Sequence, residues 1–202
     1  MREKIVLIGG GGHCKVVIDA ILAGGEYDIA GIIDRKLEAG TKVLGVSVLG
    51  DDALLKEAFE KGIKNAFVAV GSVGDCTARK AIYENIKKMG FNIPHIIHPK
   101  AVIACDVEFG EGAFVAASAT INPGTKIGKM AIINTSSSVD HDCRIGDFVH
   151  IAPGVTLSGG VNVGDGTHIG TGASVVQCVS IGKGCMVKAG VRVSQDMGDV
   201  EE

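Results

Sequence analysis

The segment 134–144, which reads NTSSSVDHDCR, contains the residues best suited to acid–base chemistry. Histidine titrates near neutral pH, so His141 is well placed to accept a proton from a reacting group. Asp142 follows it directly, and an adjacent carboxylate raises the basicity of an imidazole and holds one tautomer. Gly159 stands at position i+18 from His141, where its backbone N–H would face a developing oxyanion. The spacing predicts a general base with an oxyanion donor if the chain repeats with that period.

Two further histidines, His150 and His168, have the same i, i+18 spacing. We expect them to stack on one face of the molecule, next to the corner that carries His141. A binding role and a simply solvated position remain open for each of them, because an exposed histidine on a repeated face often has no function. A metal site is not expected, since the pair lacks a third ligand at a suitable spacing.

Four consecutive glycines, Gly9–Gly12, precede His13 at the start of a helical segment. A glycine loop that leads into a helix N-terminus binds phosphate readily. Asp34 ends a second apolar segment, where a carboxylate can meet a ribose hydroxyl. A nucleotide-linked ligand, a nicotinamide dinucleotide and a simple tight turn all remain open. The dinucleotide is disfavoured, because a fingerprint starting at the first glycine would need glycine at the position of Cys14.

The first half of the chain alternates apolar segments with amphipathic ones. Segments that suit buried strands are 4–9, 29–33 and 65–70, and segments that suit helices are 13–22, 51–61 and 75–89. This alternation is typical of a parallel sheet with crossover helices. We therefore expect residues 1–96 to form an α/β, Rossmann-like domain.

The second half repeats with a period of one hexad. The apolar positions in phase are Ile97, Ile103, Phe109, Val115, Ile121, Ile127, Ile133, Val139, Ile145, Ile151, Leu157, Val163, Ile169, Val175, Ile181, Val187 and Val193. This hexapeptide pattern predicts a parallel β-helix in which three hexads form one triangular coil, so that positions i and i+18 stack. Glycine often follows the apolar residue, and we expect it to supply corner conformations that a Cβ would oppose. Residues 97–202 are predicted to form this second domain.

Composition excludes several classes of protein. Glycine accounts for 30 of 202 residues and tryptophan is absent, so the core must consist of small and branched aliphatic side chains. The net charge of −3 offers no basic surplus for nucleic acid. The six cysteines have no CxxC spacing, and the chain has no apparent signal peptide or membrane span. We expect a cytoplasmic protein with reduced thiols and with neither a nucleic-acid nor a membrane partner.

Several motifs resemble one known family over nearly the whole chain. These are IGGGGHCKVV, IIDR, AVGSV and INTSSSVDHDCRIGDFVHIAPG. They are similar to the PglD-like bacterial sugar O-/N-acetyltransferases, which include sialic acid O-acetyltransferases and UDP-4-amino-sugar N-acetyltransferases. The resemblance implies a left-handed β-helix, acetyl-CoA as co-substrate, a homotrimer and an active site between neighbouring β-helices. The family's chains end in a segment like GVPAK, whereas this one reads QDMGDVEE.

The resemblance also assigns roles to individual residues. His141 is implied as general base, with Asp142 increasing its basicity. The implied nucleotide-sugar contacts are Gly11, Gly12, His13, Asp34, Arg35, Gly71 and Asn134, the last of these at the reacting centre. The implied acetyl-CoA contacts are His150, Gly159, Thr171 and Ala189, and no metal is involved.

The function expected from these roles is acetyl transfer from acetyl-CoA to the amino group of a nucleotide-linked 4-amino sugar. UDP is the expected nucleotide, and Lys183, Lys188 or Arg192 is expected to meet the phosphates of CoA. One alternative is O-acetylation of sialic acid or a related sugar by the same base. A second alternative, from another class, is a non-catalytic trimeric scaffold that binds nucleotide sugars.

Overall fold

A computed structural model describes residues 2–200, which form two compact units. The first comprises the chain up to Gly71 together with Thr77–Ile96, and the second comprises Ser72–Cys76 and the chain from Ile97 onwards. The second unit thus includes a short segment, Ser72–Cys76, that lies within the first half of the sequence. The division of roles between residues 1–96 and 97–202 stays a prediction.

The first unit is a five-stranded sheet with three helices. In chain order its elements are β1 (Glu3–Ile8), α1 (Gly12–Gly24), β2 (Tyr27–Ile33), β3 (Lys42–Val43), β4 (Val46–Gly50), α2 (Leu54–Glu60), β5 (Asn65–Val68) and α3 (Thr77–Lys88). The strand order is β3-β4-β2-β1-β5, and every neighbouring pair except β3–β4 is parallel. The predicted α/β, Rossmann-like fold is confirmed, and the three predicted strands and helices are present within a few residues of their expected bounds.

The hairpin of β3 and β4 was not predicted from the sequence. Its two-residue loop, Leu44 and Gly45, has positive φ angles of 45° and 82°. Two-residue loops of this conformation usually have the sequence Asn-Gly or Asp-Gly. Here leucine takes the place of Asn or Asp, so the sequence does not indicate the turn. The short strands on either side also show no clear pattern.

The second unit is a left-handed parallel β-helix of two-residue strands. In chain order the strands are β6 (Ile96–Ile97), β7 (Val102–Ile103), β8 (Glu108–Phe109), β9 (Phe114–Val115), β10 (Thr120–Ile121), β11 (Lys126–Ile127), β12 (Ile132–Ile133), β13 (Ser138–Val139), β14 (Arg144–Ile145), β15 (His150–Ile151), β16 (Thr156–Leu157), β17 (Asn162–Val163), β18 (His168–Ile169), β19 (Ser174–Val175), β20 (Ser180–Ile181), β21 (Met186–Val187) and β22 (Arg192–Val193). The predicted β-helix is confirmed.

Three sheets form the sides of the prism, and each strand pairs with the equivalent strand of the next coil. Sheet I contains β6, β9, β12, β15, β18 and β21; sheet II contains β7, β10, β13, β16, β19 and β22; sheet III contains β8, β11, β14, β17 and β20. The chain runs from sheet I through a first corner to sheet II, through a second corner to sheet III, and through a third corner back to sheet I.

The core of the prism consists of the in-phase apolar residues and the small residues two positions before them. From Val115 to Val193 the in-phase residues are at most 7% exposed, whereas Ile97, in the first hexad, is 37% exposed. Burial of apolar area in each coil stabilises the stack. A column of medium-sized aliphatic side chains fits this narrow interior.

The expected role of the corner glycines is wrong in one respect. Glycines that directly follow an in-phase residue, such as Gly128 and Gly164, do not have a positive φ angle. A Cβ on Gly128 would instead lie 2.5 Å from the backbone carbonyl carbon of Gly146 in the next coil. The left-handed backbone occurs two residues further on, where Asp142 and Phe148 are among the non-glycine residues that adopt it. These glycines therefore permit close stacking of coils rather than the turn itself.

The last strand of sheet III is covered by the residues that follow β22. Met197 pairs with Ile181 in a parallel bridge. The carboxylate of Asp196 accepts the backbone N–H of Ser180 at 2.8 Å, and that of Asp199 accepts the backbone N–H of Lys183 at 2.7 Å. This segment satisfies an edge that would otherwise present unpaired backbone groups.

Candidate active site

His141 lies at the second corner of the β-helix, between β13 and β14. Its Nδ1 is 2.8 Å from the Oδ2 of Asp142, and its backbone N–H donates to the Oδ1 of Asp140 at 2.8 Å. Asn122, one coil earlier, donates its side-chain amide to the same Asp140 oxygen at 2.8 Å. Two carboxylates and an amide thus hold the loop that carries the imidazole.

The electrostatics of the second corner favour a basic imidazole. The hydrogen bond to Asp142 and the charge of Asp140 raise the pKa of His141 above its ordinary value. Since a carboxylate can only accept, Nδ1 carries the proton of the neutral ring and Nε2 has its lone pair free. The side chain of His141 is 60% exposed, so this lone pair is accessible.

Gly159 lies against the free edge of this imidazole. A Cβ at this position would come within 2.6 Å of both Nε2 and Cε1 of His141. The backbone N–H groups of Ser158 and Gly160 donate to carbonyls of neighbouring coils, but within residues 2–200 that of Gly159 has no acceptor. The i, i+18 spacing correctly placed Gly159 beside His141, and its role as an oxyanion donor stays a prediction.

A second polar cluster lies at the first corner and on sheet I. The Nδ1 of His150 is 2.7 Å from the carbonyl oxygen of Ser72, and its Nε2 is 3.1 Å from the side-chain nitrogen of Asn134. Because a carbonyl only accepts, Nδ1 is the protonated nitrogen, and Nε2 accepts from the amide. Thr171 and Ala189 follow β18 and β21 and therefore lie at this same corner.

His168 packs directly on His150. The two rings meet edge to face with centroids 4.7 Å apart, and both side chains belong to nearly buried residues. Burial lowers the pKa of His168, and the Ser72 carbonyl only partly opposes this. Its buried Nδ1 has no hydrogen-bond partner in the part of the chain described. The predicted stacking of the two histidines is confirmed.

The predicted location of His150 and His168 next to the corner of His141 is wrong. His150 and His168 lie on sheet I, whereas His141 lies between sheets II and III, at the corner that faces sheet I across the triangle. The step from His141 to His150 amounts to half a coil. A half-coil step leads from a corner to the facing side, so the two clusters lie on different parts of the prism.

The first and second corners are separated by the width of sheet II. Five to six nearly extended residues span on the order of 15–20 Å. The predicted acetyl-CoA contacts are accordingly divided. His150, Thr171 and Ala189 belong to the first corner with Asn134, and Gly159 belongs to the second with His141.

A cavity of about 800 Å³ lies in the first unit, at the C-terminal ends of its parallel strands. Its walls include six of the seven predicted nucleotide-sugar contacts: Gly11, Gly12, His13, Asp34, Arg35 and Gly71. A Cβ on Gly11 or Gly12 would meet no atom within 4 Å, so protein packing does not require glycine there. The open space lies at the N-terminus of α1, where backbone N–H groups attract an anion.

Asp34 organises the loop beside this cavity. Its Oδ2 accepts the backbone N–H of Gly10 at 2.7 Å, and its Oδ1 accepts those of Lys36 and Leu37 at 2.8 and 3.0 Å. Burial opposes the charged form of Asp34, but these three donors and the Lys36 charge hold its pKa below the ordinary value. The carboxylate therefore fixes the backbone around the cavity, and its contact with a ribose hydroxyl stays a prediction.

Sequence reasoning missed one wall of the cavity. Asp52 lines it beside Arg35, and α3 contributes Ala78, Ala81, Ile82 and Asn85. The four positions on α3 have the i, i+3, i+4, i+7 spacing of one helix face, which was a usable signal. Asn134 lies in the second unit and does not line this cavity.

No group of three His, Cys, Asp or Glu side chains within residues 2–200 is arranged to hold a metal ion. Across the same range, no helix has the length and apolar character needed to cross a membrane.

The chain joins an α/β unit that carries a glycine-lined cavity to a β-helix of hexapeptide repeats. Family models match both parts: that of the PglD N-terminal domain matches residues 4–86, and that of the bacterial transferase hexapeptide matches residues 124–159. No curated protein matches the chain significantly.

Solved structures give close matches over almost the whole chain. Perosamine N-acetyltransferase PerB from Caulobacter crescentus, solved with CoA and GDP-perosamine, is 43% identical with a TM-score of 0.90, over 98% of this chain and 91% of that one. The acetyltransferase domain of PglB from Neisseria gonorrhoeae, solved with acetyl coenzyme A, is 35% identical with a TM-score of 0.88, over 98% and 94%. The chain belongs to the PglD-like family of sugar acetyltransferases, and it is an acyltransferase.

Proposed function

We propose that this protein transfers the acetyl group of acetyl-CoA to the amino group of a nucleotide-linked 4-amino sugar. The observation that carries the proposal is the free Nε2 of His141 beside the unpaired N–H of Gly159. The similarity to PerB, which binds CoA and GDP-perosamine, supports this class of substrate. Variants of that enzyme with a histidine replaced by asparagine or alanine have also been solved with both ligands.

In the proposed reaction the sugar amine attacks the thioester carbonyl carbon, and a C–N bond forms. His141 takes a proton from the attacking nitrogen at Nε2, while the N–H of Gly159 donates to the oxyanion. The C–S bond then breaks, and the CoA thiolate leaves and is protonated. General-base catalysis contributes about 10²–10⁴-fold and one backbone donor about 3 kcal/mol. Positioning of the two substrates supplies much of the rest.

The division between the corners supports a homotrimer. His141 and Gly159 lie at the second corner, and Asn134 and His150 lie at or beside the first. In a cyclic trimer the second corner of one chain can face the first corner of the next. Each active site would then take its base and oxyanion donor from one chain and its remaining acetyl-CoA contacts from another.

The acetyl-CoA groove would run along the first corner. Thr171 and Ala189 are exposed there, and Lys188 and Arg192 are exposed at the same end of the β-helix. Lys183 instead lies at the third corner, with its ammonium group 3.5 Å from Asp165. We therefore assign the phosphates of CoA to Lys188 and Arg192 rather than to Lys183.

The nucleotide sugar would occupy the cavity of the first unit, with its diphosphate at the N-terminus of α1. The sequence led us to expect UDP, whereas the ligand of PerB carries GDP. The cytoplasmic location expected from the sequence stays a prediction.

A thiol-release assay with acetyl-CoA tests the proposal. The acceptors would be UDP- and GDP-linked 4-amino sugars, with the corresponding 4-hydroxy sugars as matched controls. Release of CoA with an amino sugar but not with its hydroxy counterpart is the expected result. Failure of every amino sugar would refute the proposal.

O-acetylation of sialic acid is the second candidate, because the same base can activate a hydroxyl group. Turnover with free or CMP-linked sialic acid, and none with amino sugars, would favour it.

A non-catalytic scaffold is the alternative from another class. Such a protein would bind nucleotide sugars without binding acetyl-CoA, and titration calorimetry measures both affinities directly.

A further inference from the structure

One pair of charged side chains at the cavity, Arg35 and Asp52, takes no part in the acetyl-transfer step proposed above. Arg35 donates from Nε and Nη2 to the Oδ2 of Asp52, at 2.8 and 2.5 Å. Both residues line the cavity. The side chain of Arg35 is 76% exposed, and that of Asp52 is 26% exposed. Within the described chain, the Oδ1 of Asp52 and the Nη1 of Arg35 have no partner. The pair thus offers the cavity an open acceptor beside an open donor.

We propose that Asp52, held by Arg35, selects a guanine base in this cavity. The inference rests on the proposed function, because it names the base of the nucleotide sugar. The diphosphate would lie at the N-terminus of α1, which has no acidic residue in its first turn to compete with it. The base would extend along the cavity to the Arg35–Asp52 pair.

The hydrogen-bonding edges of the bases distinguish guanine from the others. Guanine presents two adjacent donors, N1–H and N2–H, followed by the acceptor O6. The open Oδ1 of Asp52 can accept from both donors, and the free Nη1 of Arg35 can donate to the acceptor. Uracil presents one N–H between two carbonyl oxygens, which a carboxylate repels. Adenine and cytosine each place a ring nitrogen acceptor beside their amino group, so they also mismatch Asp52.

The apolar residues that line the same cavity suit a flat ring. Leu55, Ala78, Ala81 and Ile82 line the cavity with small or aliphatic side chains. A planar base can pack there while its polar edge reaches the charged pair. A site built around a charged acceptor rejects ligands without matching donors, because the carboxylate then loses water without gaining a hydrogen bond.

Direct binding of GDP and UDP, measured by titration calorimetry, tests the inference. The wild-type protein is expected to bind GDP more tightly than UDP by about tenfold to a hundredfold, the discrimination of one bidentate pair. Asp52→Asn keeps an oxygen for Arg35 but replaces one acceptor with a donor. We expect it to lose this preference, mainly through weaker GDP binding.

Asp51→Asn is the matched control. Asp51 accepts the backbone N–H of Ala53 at 3.0 Å, and it does not line the cavity. This variant should retain the wild-type ratio of affinities. Equal affinity for the two nucleotides in the wild type, or an unchanged ratio in Asp52→Asn, would overturn the inference. Failure of all amino sugars in the thiol-release assay would instead refute the proposed function, since nucleotide binding needs no turnover.

Discussion

At the third corner of the β-helix, glycine follows the in-phase residue in successive coils, whereas at the second corner Asn122, Asp140 and Ser158 take that place. The acidic residues also differ in what they contact. Asp147 accepts the backbone N–H of Lys129 in the adjacent coil at 2.9 Å. Asp140 and Asp142 instead bind the backbone and ring of His141. The same hexad thus stabilises coil stacking at one corner and holds a basic side chain at the other.

Substituting one glycine at each corner should separate these two roles. Gly159→Ala should reduce kcat by about 10²–10³-fold, because the new methyl group displaces the exposed ring of His141 and alters the oxyanion donor. Gly128→Ala should instead lower the free energy of unfolding by about 1–3 kcal/mol, because its methyl group meets the backbone of the next coil. Steady-state kinetics and denaturant unfolding of both variants check this. Equal loss of stability in the two would contradict the distinction.

Basic residues near the end of the β-helix allow a second comparison of corners. Replacing Lys188 and Arg192 by alanine should weaken CoA binding by roughly tenfold or more, through the loss of charge-assisted hydrogen bonds to phosphate. Lys183→Ala at the third corner should leave the affinity unchanged. Calorimetric titration with CoA measures both, and the reverse pattern would move the groove to the third corner.

The pH dependence of turnover should respond to Asp142 and not to the carboxylates of the third corner. His141 acts as a base only when unprotonated, so kcat/KM falls as the pH drops through its pKa. Since the hydrogen bond to Asp142 raises that pKa, Asp142→Asn should shift the acidic limb to lower pH. Asp147→Asn should leave the limb in place. A shift to higher pH in Asp142→Asn would show that Asp142 does not increase the basicity of His141.

The buried His168 should make stability fall as the pH falls, which is the opposite of the pH dependence expected from an exposed, carboxylate-paired histidine. Burial lowers its pKa, so the unfolded chain takes up a proton at a higher pH than the folded protein does. Stability is therefore lost as the pH falls below about 6.5, the ordinary pKa of histidine. His168→Phe keeps the ring packing and should reduce the loss of Tm between pH 7.5 and pH 5.5. An unchanged loss would mean that His168 does not titrate on unfolding.

Much of the fold could be predicted from the sequence, because a hexad repeat specifies which side chains face inwards. The coil of three hexads also predicted that Gly159 would lie beside His141. The same repeat also predicts that His150 lies on the side of the prism that faces His141, since the step from His141 to His150 is half a coil. Two features could not be predicted from the sequence. One is that Ser72–Cys76 belongs to the second unit. The other is the Arg35–Asp52 pair, whose members are distant in sequence.

The central claim is that one active site combines the second corner of one chain with the first corner of another, and subunit mixing tests it most directly. His141→Ala removes the base, and Asn134→Ala removes the amide at the other corner. Each variant by itself should have low activity. Trimers formed from both chains together should regain about a quarter of the wild-type sites, from random pairing across a cyclic interface. Activity no greater than the sum of the two separate variants would contradict the shared site.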